Sequence, residues 1–199
     1  MQIRGAGLTC SFFFLLSKLS FLPNPGMFGA VSESHLQRRK HMSRPYQLRS
    51  EQWVPQPIER VFEFFSDAGN LERITPNWLG FEILTARPIA MGVGSLIDYR
   101  IRWHGLPMTW RTEIQRWEPP VLFQDIQLKG PYRLWQHTHR FEAVEGGTCL
   151  FDDVEYALPF GVLGRAIHAI TIRKNLENIF MHRRACIQAI FGGPVRGRG

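Results

Sequence analysis

The sequence has few of the features by which enzyme classes and membrane spans are most readily identified. It contains three cysteines in 199 residues, and none of them has the spacing of a zinc or redox motif. It also has no dinucleotide fingerprint, no phosphate-binding loop and no G-x-S-x-G nucleophile elbow. The sequence therefore predicts no cofactor and gives no basis for a metal site of cysteine type. We expect its thiols to be reduced and mostly buried, as in a cytoplasmic protein.

The central part of the chain has no excess of charge. The formal net charge is +7, but residues 1–45 hold six Lys or Arg and one acidic residue, and the tail after Gly193 holds two more arginines. The region between them has 16 basic and 16 acidic residues. Because nucleic-acid binding needs basic residues clustered on the fold, we expect no nucleic-acid partner.

The first 45 residues have no globular patterning. Their apolar run at 8–22 is interrupted by Lys18 and is shorter than the ~20 residues of a membrane helix. It has the outline of a secretory signal, with a poor cleavage site. Three interpretations stay open for this extension: a mis-assigned start with Met42 as the true first residue, a targeting segment, or a disordered or membrane-surface arm. We expect a cytoplasmic protein, secreted or membrane-associated if residues 1–30 are a genuine signal.

From residue 46 the pattern becomes that of one α+β domain, which we place at 46–192, followed by a flexible basic tail at 193–199. After a first strand at 46–54, helical spacing predicts a helix at 57–66 and a second short helix at 71–75. Turn residues then separate six predicted antiparallel strands, at 81–86, 95–103, 108–117, 122–129, 132–143 and 148–158. An uninterrupted amphipathic run at 163–191 predicts a long helix lying across the sheet.

Several short motifs of this region occur together in one known superfamily. They are Pro57-Ile58-Glu59-Arg60-Val61-Phe62, Asn70-Leu71-Glu72-Arg73, Trp117-Glu118-Pro119-Pro120, Gly130-Pro131-Tyr132, His137-Thr138-His139, Gly146-Gly147-Thr148 and Leu158-Pro159-Phe160-Gly161. On these motifs the chain resembles the SRPBCC superfamily of START-like, polyketide-cyclase/dehydrase and coenzyme-Q-binding-type domains, and within it an uncharacterised bacterial-type single-domain member. The resemblance implies a helix-grip fold: a curved antiparallel sheet of about seven strands wrapped on a long C-terminal helix, with two short helices after the first strand.

The same resemblance implies an internal cavity for a lipid, quinone or polyketide-like molecule. It does not fix the activity, because one fold can host carriers, cyclases and hydrolases alike. We expect the protein to bind an apolar small molecule as a carrier or sensor. The alternative is a cyclase/dehydrase-type enzyme that uses polar residues of the same cavity. Weak membrane contact and the oligomeric state are left open.

Strand alternation predicts which side chains face the cavity, since successive residues point to opposite faces of a sheet. The expected ligand-binding residues are Tyr99, Trp103, Trp110, Phe123, Gln127, Trp135 and Tyr156. Trp78 is a further pocket candidate among the tryptophans. The basic residues of the last helix, including Arg183 and Arg184, are expected on its solvated face.

Four polar residues share the predicted inner faces and are the candidate catalytic groups: Asp125, His137, His139 and Asp152. His137 and His139 are two positions apart on one strand and so share a face. A satisfied buried polar network is the interpretation we favour, ahead of ligand contact or acid/base catalysis, and metal binding comes last. No nucleophile with an activating base can be identified, so the sequence assigns no catalytic residue and leaves enzymatic activity open.

Overall fold

Strands make up nearly half of the described chain, which in this computed structural model comprises residues 2–3, 45–103, 105–159 and 171–192. The strands are β1 (Gln2–Ile3), β2 (Tyr46–Val54), β3 (Glu82–Ile83), β4 (Leu96–Trp103), β5 (Leu106–Glu118), β6 (Leu122–Lys129), β7 (Leu134–Val144) and β8 (Gly147–Ala157). They form one sheet in the order β1-β2-β8-β7-β6-β5-β4-β3. The predicted antiparallel sheet of about seven strands is confirmed, and the two-residue β1 adds a parallel edge.

Turn chemistry explains where the strands end, and also why one prediction was too long. The five predicted breaks between these six strands fall at glycine or proline positions, where the chain can reverse. The strand predicted at 81–86 shortens to Glu82–Ile83. Beyond it the backbone N–H groups of Leu84 and Thr85 both donate to the carbonyl oxygen of Asp98, so a regular ladder cannot continue.

Two helical segments follow β2, as predicted. Helix α1 (Ile58–Ser66) begins after Pro57 and buries Ile58, Val61 and Phe62 against the sheet, because these residues recur at helical spacing. A 3₁₀ helix at Ala68–Ile74 comes next. Its cap is Asp67, whose carboxylate accepts a hydrogen bond from the backbone N–H of Gly69 at 2.8 Å. The segment therefore begins before the predicted cap at Asn70.

The long C-terminal helix α2 (Arg173–Phe191) buries Leu176, Phe180, Ile187 and Phe191. The first part of the predicted helix, residues 163–170, lies outside the described residues. No helix in the described ranges is long and apolar enough to cross a membrane. The apolar run at 8–22 and the basic tail at 193–199 also lie outside these ranges.

Polar contacts join the C-terminal half of α2 to the neighbourhood of β2. The Gln52 side-chain amide donates to the carbonyl oxygen of Arg184 at 3.1 Å, and the Arg184 guanidinium donates to the carbonyl oxygen of Glu51. Gln56 donates to the carbonyl oxygen of Phe191 at 3.1 Å. The expectation of a solvated Arg184 is therefore wrong, because its guanidinium satisfies a backbone carbonyl at the helix–sheet contact.

The thiols differ from the expectation in one case. Cys149 is fully buried on β8, as expected, but it is disulfide-bonded, so the prediction of reduced thiols is wrong for this residue. Cys186 carries a free thiol on α2 and is only half-buried.

Two hydrophobic clusters make up the core. The first gathers around Phe62, Phe123 and Phe141, and includes Ile187 and Phe191 from α2. The second gathers around Trp110, Tyr132 and Tyr156 and includes Leu176 and Phe180. Residues of both clusters contribute to a cavity beneath α2. The α+β helix-grip architecture expected from the sequence is confirmed.

Candidate functional site

A cavity of about 340 Å³ lies between the sheet and α2. Its walls come from the inner face of β4 to β7, from the 3₁₀ helix and from one side of α2. Pockets that hold small organic ligands usually have volumes of roughly 300–1,000 Å³ and mostly apolar linings. This cavity meets both conditions.

Aromatic rings form much of the wall. Five of the predicted ligand-binding residues line the cavity: Tyr99, Trp103, Trp110, Phe123 and Trp135. Trp110 lies at the centre of this group, with its ring 5.2 Å from that of Trp135 in an edge-on contact and 5.8 Å from that of Tyr99 in a stack. The Tyr99 hydroxyl also lies 2.8 Å from the Thr112 hydroxyl. These mutual contacts hold the rings in fixed orientations along the wall.

Gln127 does not line the cavity, although strand alternation predicted that it would. The β5–β6 pairing shifts register at this point, where Arg111 pairs with Lys129 but Thr112 pairs with Gln127, so alternation no longer applies. The Gln127 side chain instead donates to the carbonyl oxygen of Tyr132 at 2.6 Å and accepts from its N–H at 3.3 Å. It closes the turn between β6 and β7.

Two other aromatic candidates are also placed away from the cavity. Tyr156 points inward as predicted, but it lies behind the lining residues and packs on Tyr46 and Tyr132. Burial raises the pKa of its phenol to about 12. Trp78 is 51% exposed, because its 3₁₀ turn at Asn77–Leu79, which the sequence did not predict, directs Leu79 inward instead.

The four polar candidates come together at one end of the cavity. Asp152 Oδ1 lies 2.9 Å from His137 Nε2 and 3.0 Å from His139 Nδ1. Asp125 Oδ2 lies 3.5 Å from His139 Nε2 and 3.9 Å from His137 Nδ1. The two imidazole rings are 3.8 Å apart, and the His139 ring also stacks on Phe123 at 4.2 Å. Asp125 and both histidines line the cavity.

Burial and mutual contact set the protonation of this cluster. Burial lowers the pKa of His137, and the neighbouring His139 lowers it further. Burial also acts to lower the pKa of His139, but the adjacent carboxylates of Asp125 and Asp152 outweigh it and raise that pKa overall. Burial acts to raise the pKa of Asp152, yet the hydrogen bonds from both histidines hold it well below its ordinary value. His139 therefore carries positive charge more readily than His137, next to an ionised Asp152.

Arg183 belongs to the site and was missed by the sequence analysis. Its side chain is 11% exposed, its Nη1 lies 3.9 Å from Asp152 Oδ1, and it lines the cavity. The expectation of a solvated Arg183 is therefore wrong. Its spacing was the available signal, because it comes seven residues after Leu176 and three after Phe180, which places it on the buried face of α2.

Several buried donors around the cavity have no hydrogen-bond partner within the described part of the protein. They are Nε1 of Trp110 and both Nε and Nη1 of Arg183. Buried polar groups are nearly always hydrogen-bonded in folded proteins, because desolvation without a partner is costly. These groups can donate hydrogen bonds to acceptor atoms of a bound molecule.

Comparison with known proteins supports the family and the fold. A sequence model of the family described as polyketide cyclase / dehydrase and lipid transport matches residues 54–180. No curated protein matches the chain.

Solved structures share the fold at low sequence identity. A protein from Thermus thermophilus is 18% identical, with a TM-score of 0.53 over 73% of this chain and 99% of that chain. A protein from Arthrobacter aurescens is 15% identical, with a TM-score of 0.57 over 75% and 87% of the two chains. Ginseng major latex-like protein 151 from Panax ginseng is 10% identical, with a TM-score of 0.53 over 76% and 100%. Identities this low show a common fold alone.

Proposed function

This chain belongs to the polyketide cyclase / dehydrase and lipid transport family, and we propose that it binds an apolar small molecule in its cavity, as a carrier or sensor. The observation that carries the proposal is the aromatic-walled cavity of about 340 Å³ beneath α2. An apolar surface of this kind favours binding of lipid, quinone or polyketide-like molecules, since their transfer out of water is favourable.

The polar end of the cavity indicates which kind of apolar ligand would bind best. Arg183 offers there two buried N–H donors, on Nε and Nη1, that have no hydrogen-bond partner in the described ranges. A ligand with a carbonyl or similar oxygen at one end of an apolar body would satisfy them, while its body contacts the aromatic rings. A plain hydrocarbon would leave these donors unsatisfied and would bind less tightly.

Chemical identification of bound molecules tests the proposal. We expect organic extraction of the purified protein, followed by mass spectrometry, to give an apolar compound, and we expect the extracted protein to take up an environment-sensitive apolar dye. Met108→Trp should strongly reduce dye uptake, because Met108 lines the cavity and the larger indole ring would occupy part of the space that the dye needs. Met181→Trp is the matched control, because Met181 is 51% exposed on α2. Equal uptake by both variants, or none by the wild type, would contradict the proposal.

A cyclase/dehydrase-type reaction is the second candidate, favoured by the titratable cluster that faces the same cavity. His139 lies 3.5 Å from Asp125, so either group could transfer a proton to or from a bound ligand. Once the ligand is known, His139→Gln and Asp125→Asn should lower turnover by roughly 100-fold or more, with little change in ligand affinity. Turnover equal to that of the wild type would dismiss catalysis by these residues.

A further inference from the structure

The polar end of the cavity has the arrangement of a metal site. Asp125, His137 and His139 each offer one ligating atom, and these atoms all lie within 4.8 Å of one another. We propose that these three side chains bind one divalent transition-metal ion, with Asp152 orienting both imidazoles. Imidazole and carboxylate ligands together suit Zn²⁺ and Fe²⁺ in particular.

The two separations from Asp125 are close to those around an ion of this size. A tetrahedral ion with bonds of about 2.1 Å holds its ligand atoms about 3.4 Å apart. The separation of 3.5 Å between Asp125 Oδ2 and His139 Nε2 matches this spacing, and the separation of 3.9 Å to His137 Nδ1 needs only a small movement inward.

Asp152 supplies the outer contact that such sites require. Histidines that ligate metals nearly always donate their other ring N–H to a carboxylate or carbonyl, which fixes the ring orientation. Here a single oxygen, Asp152 Oδ1, is hydrogen-bonded to Nε2 of His137 at 2.9 Å and lies 3.0 Å from Nδ1 of His139. The nitrogens left to face Asp125 are Nδ1 of His137 and Nε2 of His139. One buried carboxylate thus aligns two imidazoles towards a second carboxylate.

A simple hydrogen-bond network explains the contacts of the histidines to Asp152 better than their contacts to Asp125. The contacts to Asp152 have ordinary hydrogen-bond lengths, but the contacts to Asp125 are 3.5 and 3.9 Å, at or beyond the limit for a hydrogen bond. An ion between Asp125 and the two rings would account for that gap. The two carboxylates, Asp125 and Asp152, would offset its charge, and the Arg183 guanidinium 3.9 Å from Asp152 would leave one net positive charge at the site.

The site is also open on the side where a substrate would approach. The three proposed ligands line the cavity, and they leave at least one coordination position free in a four-coordinate ion. An oxygen of a bound molecule could occupy that position. The metal site and the apolar cavity would then act on the same ligand, although the metal proposal does not depend on that function.

Metal analysis of tag-free protein tests the inference. We expect close to one equivalent of Zn²⁺ or iron per folded chain after purification without chelators, and saturable Zn²⁺ binding after dialysis against EDTA. Cobalt substitution should give visible absorption bands typical of nitrogen and oxygen ligands. A metal content well below one equivalent, together with no saturable Zn²⁺ binding by the folded wild type, would overturn the proposal.

Variants separate this site from surface binding. Asp125→Asn and His139→Gln should each weaken Zn²⁺ binding by at least tenfold, and Asp152→Asn should weaken it by about 10–100-fold through loss of the outer contact. His182→Ala is the control, because His182 is exposed and contacts the Cys186 thiol at 3.3 Å, a pair that could bind metal at the surface. Metal lost in His182→Ala but kept in Asp125→Asn would overturn the proposal.

Dye uptake by the metal-free protein distinguishes this inference from the proposed function. Uptake without metal binding would overturn the metal site and leave the carrier or sensor function standing. Metal binding without uptake would support the metal site and count against the apolar ligand.

Discussion

Asp152 and Asp153 are neighbours on β8 with opposite environments. Asp152 faces inward and is 9% exposed, with both histidines on one of its oxygens. Asp153 faces solvent and pairs with Arg49 at 2.7 Å, where both side chains are more than half exposed. The period of two along a strand is the cause. Two identical carboxylates therefore make unequal contributions to stability.

Asp152→Asn should destabilise the metal-free protein by about 3 kcal/mol or more, because it removes the buried negative charge beside His139 and Arg183. Asp153→Asn should change stability by less than about 1 kcal/mol, since exposed ion pairs contribute little. Urea unfolding at neutral pH, in the presence of EDTA, measures both. Indistinguishable midpoints would show that the buried cluster is not held together by Asp152.

Single-residue patterns predicted the polar cluster but not all of its members. Alternation placed Asp125, His137, His139 and Asp152 on inner faces, and the structure brings them together. Alternation does not apply to Arg183, which lies on a helix. There its charge predicts exposure to solvent, while its helical spacing from Leu176 and Phe180 predicts burial. Nor could alternation foresee the register shift that turns Gln127 away, since a bulge depends on the pairing of two strands.

At the scale of elements, the β7–β8 hairpin depends on a close approach to the end of β2. A Cβ atom added at Gly147 would collide with the carbonyl oxygen of Val54 and come within 3.1 Å of Pro55 Cα. Because these are backbone atoms, they cannot rotate away as a side chain would. The glycine lets the hairpin lie against the chain that leads into α1.

Gly147→Ala should therefore destabilise the protein by roughly 1–3 kcal/mol, through overpacking. Gly92→Ala is the matched control, since a Cβ atom there meets nothing within 4 Å, and its effect should stay within about 0.5 kcal/mol. Thermal unfolding of the two variants makes the comparison. A stable Gly147→Ala protein would mean that β8 can shift relative to β2.

Helix α2 is stabilised mainly by its buried face. Ile187→Ala should cost about 2–5 kcal/mol, because Ile187 is 2% exposed and its removal leaves a cavity in the first core cluster. Met181→Ala, on the exposed face of the same helix, should cost less than about 0.5 kcal/mol. Equal losses in urea unfolding would contradict the assigned orientation of α2.

The elements themselves were largely predictable, since glycine and proline mark the strand breaks and the apolar stripe marks α2. The 3₁₀ turn at Asn77–Leu79 was not, because so short a segment has no period to detect. The cavity was implied by the family resemblance and not by any pattern in the residues. Its position depends on how far α2 stands from the sheet, which is a tertiary property.

At the scale of the whole molecule, the cavity couples ligand binding to stability. A molecule that binds only the folded state raises the free energy of unfolding by about 2.7 kcal/mol at a concentration 100 times its Kd. We expect this rise in the wild type and in Met181→Trp, and a much smaller one in Met108→Trp. Thermal scans across a ligand titration measure it. The same rise in all three proteins would place binding outside the cavity.

The order of strands in the sheet also affects when each strand can pair during synthesis and folding. Every antiparallel pairing but one within the described strands joins consecutive strands, and the exception brings β2 beside β8, so that Tyr46 meets Tyr156. During synthesis β2 leaves the ribosome first, and its antiparallel partner follows on the order of ten seconds later. Until then Leu48 and Val54 have no cover from β8 or α2. Pairing of β2 with β8 is therefore a late, non-local event that slows folding. The apolar face of β2 is buried only when the last segments to be synthesised, β8 and α2, have folded against it.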